Sequence, residues 1–226
     1  MQHQPFKLTI TRSKRKTLVI YVRDDGVEVR APLKAPQNWI DEFVELKSPW
    51  ILKKLKLQKQ KNSERLKLEE GEPILFCGKE YRLSLSLGKN QVNVDSENLY
   101  IQVRQLEEDY IKKQFQQWLL QQAKKDFEPR VWQIASVMEV ESKVNAVRFR
   151  KTKTKWGHCT AKGVLQFNPL LMMAPVPVQD YLIIHELCHL QYMNHSNHFW
   201  RLVEANCPDY RESEQWLKEH GHKVWC

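Results

Sequence analysis

No run of about 18 consecutive apolar residues occurs in this 226-residue chain, which excludes a membrane-spanning helix. The opening residues Met1-Gln2-His3-Gln4-Pro5-Phe6-Lys7 lack the apolar core of a secretory signal. The five cysteines, Cys77, Cys159, Cys188, Cys207 and Cys226, are odd in number and follow no spacing pattern. That argues against a disulfide framework and for free thiols in a reducing compartment. Internal repeats and low-complexity tracts are absent as well. These absences predict a cytoplasmic protein without membrane partners. A hydrophobic content of 42% is enough for one large core or two modest ones.

Against that plain background one segment stands out: His185-Glu186-Leu187-Cys188-His189, with His195 following. In a helix, residues four apart share a face, so His185 and His189 can direct two imidazole nitrogens at one ion while Glu186 projects beside them. The preceding residues favour a helix. Pro177 is tolerated in its first turn, Asp180 lies near the positive end of its dipole, and Ile183, Leu187 and Leu190 form an apolar stripe away from the histidines. With 8 His and 19 Glu, chance would produce such a His-Glu-x-x-His in roughly 2 of 100 shuffled chains. A third histidine at a short offset lowers that figure much further.

Catalytic zinc sites keep three protein ligands and one open position, and His195 supplies the third ligand if the chain turns back after the helix. Asn194 is the expected left-handed residue ending that helix and Ser196 the expected N-cap of the next. The rivals are His198 and Glu204, both of which need a longer return. One Zn²⁺ per chain on His185, His189 and His195 would acidify a water to near neutrality, with Glu186 placed as general base, which makes a hydrolase. For oxyanion stabilisation the metal itself can serve, helped by Tyr181, Tyr192, Tyr210, His222 or an arginine. For orienting the imidazoles they are Glu204, Asn206 and Asp209. Cys188 lies between the two helical histidines and reads as a packing residue.

The segment His185 to Trp200, HELCHLQYMNHSNHFW, resembles the signature of the YgjP-like metal-dependent hydrolases, which are similar to the SprT-like and WLM-type zinc proteases. The resemblance extends upstream to Lys153-Thr154-Lys155-Trp156-Gly157-His158-Cys159 and Gly163 to Asn168, and downstream to Tyr210 to Gly221. His158 departs from it, standing where the family has serine. The resemblance implies an α+β fold, with a zincin-like catalytic domain behind a β-rich N-terminal part, and peptidase activity on peptides or proteins.

Periodicity organises the rest. Phe6 to Ile10, Thr17 to Val22 and Val27 to Arg30 read as strands, with Asp24-Asp25-Gly26 a tight turn. A helix is predicted from about Gln37 to Lys61, with a break or a second start at Pro49. Tyr81 to Leu87, Gln91 to Val94 and Leu99 to Val103 return to strand. The character changes near residue 105, which predicts a β-rich module with one helical arm over 1–105 and the metal-binding domain over 106–226. Glu107 to about Val137 reads as a long helix kinked or restarted at Pro129. Val164 to Asn168 reads as one arm of a hairpin whose other arm is about Val144 to Trp156, and as the strand beside the metal helix on which an extended substrate would lie. A last helix follows Pro208, with Asp209 and Glu212 forming a capping box and Gly221 closing it.

The chain is basic, 36 Lys and Arg against 27 Asp and Glu, for a formal charge of +9. The excess clusters at Arg12 to Lys16, at Lys53 to Lys61 and at Arg148 to Lys155. One reading of the last cluster is an edge strand guarded by lysines against aggregation. The other is a surface for nucleic acid, which keeps a second function class open: a nucleic-acid-associated factor or DNA-guided protease using residues 148–155, with the metal site structural or regulatory. Glu186 separates the two, because a structural site needs no base and prefers a closed four-ligand shell. The hydrolase is the favoured reading.

Overall fold

The computed structural model describes residues 5–23, 26–152 and 154–224. Asp24 and Asp25 of the expected turn, Lys153 of the basic cluster, Cys226 and the first four residues lie outside the described residues. The fold is α+β, and the chain divides into two units, Met1–Glu64 and Arg65–Cys226.

The first unit contains strands β1 (Leu8–Ser13), β2 (Val19–Arg23) and β3 (Gly26–Pro32), then helix α1 (Gln37–Ser63). The sheet order is β1-β3-β2, with β1 parallel and β2 antiparallel to the central β3. Alternation on β3 turns Val27, Val29 and Ala31 to one face, where they share a core with Ile40, Val44 and Ile51 of α1. Helix α1 runs unbroken through Pro49, contrary to the expected break. Pro49 and Glu45, whose carbonyl loses its helical partner, are both exposed, so water takes up the bond that proline cannot donate.

The second unit opens with β4 (Pro73–Phe76), β5 (Lys79–Leu87), β6 (Gln91–Val94) and β7 (Asn98–Val103) in the order β4-β5-β7-β6. The short β4, which begins on a proline, escapes a search for alternating runs. Helix α2 (Glu108–Gln122) passes through a π turn at Ala123–Phe127 into α3 (Glu128–Val137), so the restart at Pro129 is made by widening one turn. Leu83, Leu99, Ile101 and Val103 of this sheet share one core with Ile111, Phe115, Trp118 and Leu119 of α2. Each fully buried side chain of this kind contributes roughly 1.5–3 kcal/mol.

That shared core explains why the division falls at residue 64 and not near 105, where the strand pattern ends. The sheet is built into the second unit from its other end too. The β4–β5 turn, where Cys77 (φ 50) and Gly78 (φ 77) are both left-handed, reaches the segment before the metal-motif helix. There the Cys77 N–H donates to the Met172 carbonyl at 2.8 Å and the Gly78 N–H to that of Met173 at 3.2 Å.

A second small sheet follows: β8 (Ala146–Phe149), β9 (Gly157–Cys159) and β10 (Val164–Phe167), in the order β8-β10-β9. Here the expected hairpin is corrected. The partner of β10 across the Thr160 to Gly163 turn is β9, antiparallel, while β8 pairs parallel on its other side. After β8, Thr152 is pinned where the buried Asn168 side-chain amide donates to its carbonyl at 3.2 Å. Then come a 3₁₀ turn (Pro169–Met173) and helices α4 (Val176–Cys188), α5 (Asn197–Asn206) and α6 (Tyr210–His220). No helix among the described residues is long and apolar enough to cross a membrane.

Candidate metal centre

Helix α4 carries the metal motif through the core. Pro175 stands at its N-cap and Pro177 within its first turn. Arg130 of α3 secures that turn by pairing with Asp180 and donating to Gln179 Oε1 at 3.0 Å, while the Gln179 amide donates to the Ala174 carbonyl at 2.8 Å. Ile183 and Leu187 are fully buried on one side. On another side His185 is half-buried, and His189 forms the C-cap with its backbone still helical (φ −66, ψ −18), so the four-residue spacing is kept.

The return to the third histidine is made differently from expectation. Asn194 is not among the residues with positive φ. The helix ends five residues earlier, in a turn where the N–H groups of Gln191 and Tyr192 both donate to the Cys188 carbonyl. The chain then reverses, and Ser196 is the N-cap of α5 by position, with no side-chain bond from it. His195 is thereby brought over α4, with its Nε2 3.1 Å from His185 Nε2. One ligand atom from each of His185, His189 and His195 lies within 4.8 Å of the others. A tetrahedral ion with bonds of about 2.1 Å spaces its ligand atoms by about 3.4 Å, so the His185–His195 pair already stands near that spacing and the widest separation would close by up to about 1.4 Å.

The tautomer and charge also fit. His189 Nδ1 lies 2.9 Å from the Tyr192 carbonyl, which accepts its proton and leaves Nε2 as the free lone pair. Burial, reinforced by the neighbouring His189 and His195, drives the His185 pKa down to about 3. Burial likewise lowers that of His189, partly opposed by the Tyr192 carbonyl. These two imidazoles are therefore neutral at physiological pH, the form that binds metal.

His195 is held by rings. Trp200 stacks on it at 5.8 Å with an interplanar angle of 29°, and Phe199 meets it edge-on at 4.8 Å. Trp200 in turn stacks on Tyr210 at 5.4 Å, and Arg211 lies over the Tyr210 ring at 5.1 Å. A hollow of about 380 Å³ is bounded by Trp200, Tyr210, Arg211, Glu214 and Gln215.

Glu186 is 5% exposed, and Oε2 is buried with no hydrogen-bond partner. Burial raises its pKa to about 8 against the opposing pull of Lys155 and of the Cys159 N–H. Its side chain lies under β9 at Gly157, where a Cβ would fall 2.7 Å from Glu186 Cγ and 2.8 Å from Cδ. Strand β9 is the edge of its sheet, so the edge next to the metal motif is β9 and not β10, which is paired on both sides.

The remaining candidates are placed as follows. His198 stacks on Tyr192 at 6.0 Å and is outside the trio. Glu204 pairs with Arg211 at 3.4 Å, and the Asn206 amide donates to the Leu202 carbonyl. Asp209 is the N-cap of α6 but its side chain makes no capping bond, so the expected capping box is not formed. The group orienting His189 is a backbone carbonyl, which no side-chain search would find. Tyr181 and Tyr210 are buried together in a core cluster with Cys188 and Phe199, and Tyr181 meets His185 edge-on at 5.8 Å. Cys188 is fully buried, and burial pushes its thiol up to about 12, as suits a packing residue. His158 is exposed on β9, outside the trio.

Among solved structures, the metallopeptidase zymogen of Pyrococcus abyssi abylysin is similar over 42% of this chain and 96% of that one, at 23% identity and a TM-score of 0.38. No curated protein matches. The family model for the YgjP-like metallopeptidase domain matches residues 16–220, spanning α4 and every residue of the histidine trio. By that match this chain belongs to the YgjP-like metallopeptidase family.

Proposed function

We propose that the protein is a zinc-dependent peptidase in which His185, His189 and His195 hold the ion and Glu186 is the general base. The observation that carries the reading is three converging imidazoles, two of them held neutral, with the buried Glu186 next to His185 on the same helix. A zinc ion bound there supplies Lewis acidity toward a carbonyl oxygen and lowers the pKa of water to about 7. Glu186, in a dry site, takes a proton from the attacking water and returns it to the departing amine. Its low exposure limits competing solvation, and the Lys155 charge opposes the rise in its pKa. An extended peptide would add along the outer edge of β9, which brings a scissile bond past Glu186.

The experiment pairs elemental analysis with cleavage of a diverse peptide library, comparing wild type with Glu186→Gln, with and without single-stranded DNA. One zinc per chain in both proteins and cleavage by the wild type alone is the expected result. Stimulation by DNA would add the guided-protease reading. Bound zinc with no cleavage under any condition would overturn the peptidase reading, and full zinc content in His195→Ala would overturn the ligand set.

A further inference from the structure

Helix α1 has two apolar faces and its own unit covers one of them. Ile40, Val44, Ile51 and the partly buried Leu55 pack on the three-stranded sheet. The second face carries Trp39, Leu46, Trp50 and Leu57, which are 43%, 74%, 44% and 44% exposed. With the half-buried Phe43 and with Lys53, these residues fall at 39, 43, 46, 50, 53 and 57, the alternating four-and-three spacing of a coiled-coil seam. Large apolar side chains aligned along about 27 Å of helix are an uncommon solvent face.

The charge along α1 is divided. Asp41, Glu42 and Glu45 lie in its first half, whereas Lys47, Lys53, Lys54, Lys56, Lys59 and Lys61 follow with no acidic residue among them. A parallel pair of such helices would set lysines beside lysines. An antiparallel pair sets the acidic half of each against the basic half of the other.

We propose that α1 pairs antiparallel with α1 of a second copy of this chain, about a two-fold axis at Ser48. In that register Leu46 faces Trp50 at the centre and Trp39 faces Leu57 at each end. Phe43 faces Lys53, whose aliphatic stem covers the ring while its ammonium reaches water. Glu42 and Lys56, both exposed, flank the seam from opposite chains. A polyanion such as single-stranded nucleic acid fits less well, although residues 1–64 carry 14 Lys and Arg against 7 Asp and Glu. Glu42 stands one turn from Trp39 on the same side of the helix and would repel phosphates at that end of the stripe. The proposal concerns residues 1–64 and does not rest on the hydrolase reading.

Sedimentation velocity of the full chain over about 1 to 200 µM tests it, alongside the double variant Leu46→Glu/Trp50→Glu. The expected result is a concentration-dependent shift from 27.0 kDa to twice that mass. The double variant should stay monomeric, with an unchanged circular dichroism spectrum and the melting temperature that wild type shows at its lowest, monomeric concentration, because both side chains are exposed. Orientation is read by cross-linking. A mixture of Trp39→Cys and Leu57→Cys chains should form mixed disulfide dimers, and Trp39→Cys alone should not, since like positions lie about 27 Å apart along the axis. Three results would overturn the proposal: a monomer at every concentration, a dimer indifferent to the double variant, or a monomer that loses binding to an oligothymidine when Trp39 and Trp50 are replaced.

Discussion

Gly157 lies directly against the side chain of Glu186: a Cβ at position 157 would fall 2.7 Å from Glu186 Cγ and closer still to Oε1. The backbone of an edge strand thus forms one wall of the pocket that holds the carboxylate, and no residue with a side chain fits there without moving it. Gly157→Ala should therefore leave zinc content at one per chain and lower peptide cleavage at least about a hundredfold, because misplacement by an ångström is enough for such a loss. Loss of bound zinc in this variant would show that the wall supports the histidines instead.

The stacked rings behind the third histidine make a separate prediction. Trp200 fixes the plane of His195 by contact, at 5.8 Å between ring centres. Trp200→Leu should weaken zinc affinity by about tenfold, the usual scale for losing a group that orients a ligand, and Trp200→Phe should recover most of it. Competition against a chromophoric chelator measures both, independently of any catalytic assay.

Gly78 tests the link between the four-stranded sheet and α4. Its φ of +77° suits glycine, and a Cβ there would meet the backbone Cα of Pro175 at 2.6 Å, immediately before the helix begins. Gly78→Ala should cost about 2 kcal/mol or more in urea unfolding, since the strained backbone and the clash act together. A change under about 0.5 kcal/mol would mean that the turn and the helix start are not firmly joined.

The turn between β6 and β7 should respond to acid. Asp95 accepts from the N–H groups of Asn98 at 2.7 Å and Glu97 at 2.8 Å and from the Tyr100 hydroxyl at 2.9 Å, which hold its carboxyl below the ordinary value of 3.8. A lowered folded-state pKa gives stability that is present above the unfolded value and is lost as pH falls through the folded one. The gap in melting temperature between wild type and Asp95→Asn should accordingly hold constant above about pH 5 and narrow toward about pH 3. A gap that does not change with pH would contradict this assignment.

How much of this was legible in the sequence depends on the range of the interaction. The spacing of His185, Glu186 and His189 is a local property of a helix, and the helical and strand periods of α1, α2, β5 and β7 follow from side chains choosing a buried side over a few turns or pleats. His195 was also within reach, because a short loop limits where the chain can return. Pairing partners were not. Val164 to Phe167 has an alternating pattern whichever strands flank it, so neither its central position between β8 and β9 nor the exposure of β9 as the edge can be read from it. The same holds for Gly157 over Glu186, for the Tyr192 carbonyl that turns His189, and for the β4–β5 turn against Pro175. Each joins groups through backbone position, which composition and spacing do not record. The sequence alone determined that this chain has a helix with two histidines and a carboxylate in register and a basic helix with two apolar stripes. Only the tertiary structure decided which stripe is covered, which strand is the edge and what lies against the carboxylate, because those outcomes follow from competition among distant surfaces for burial.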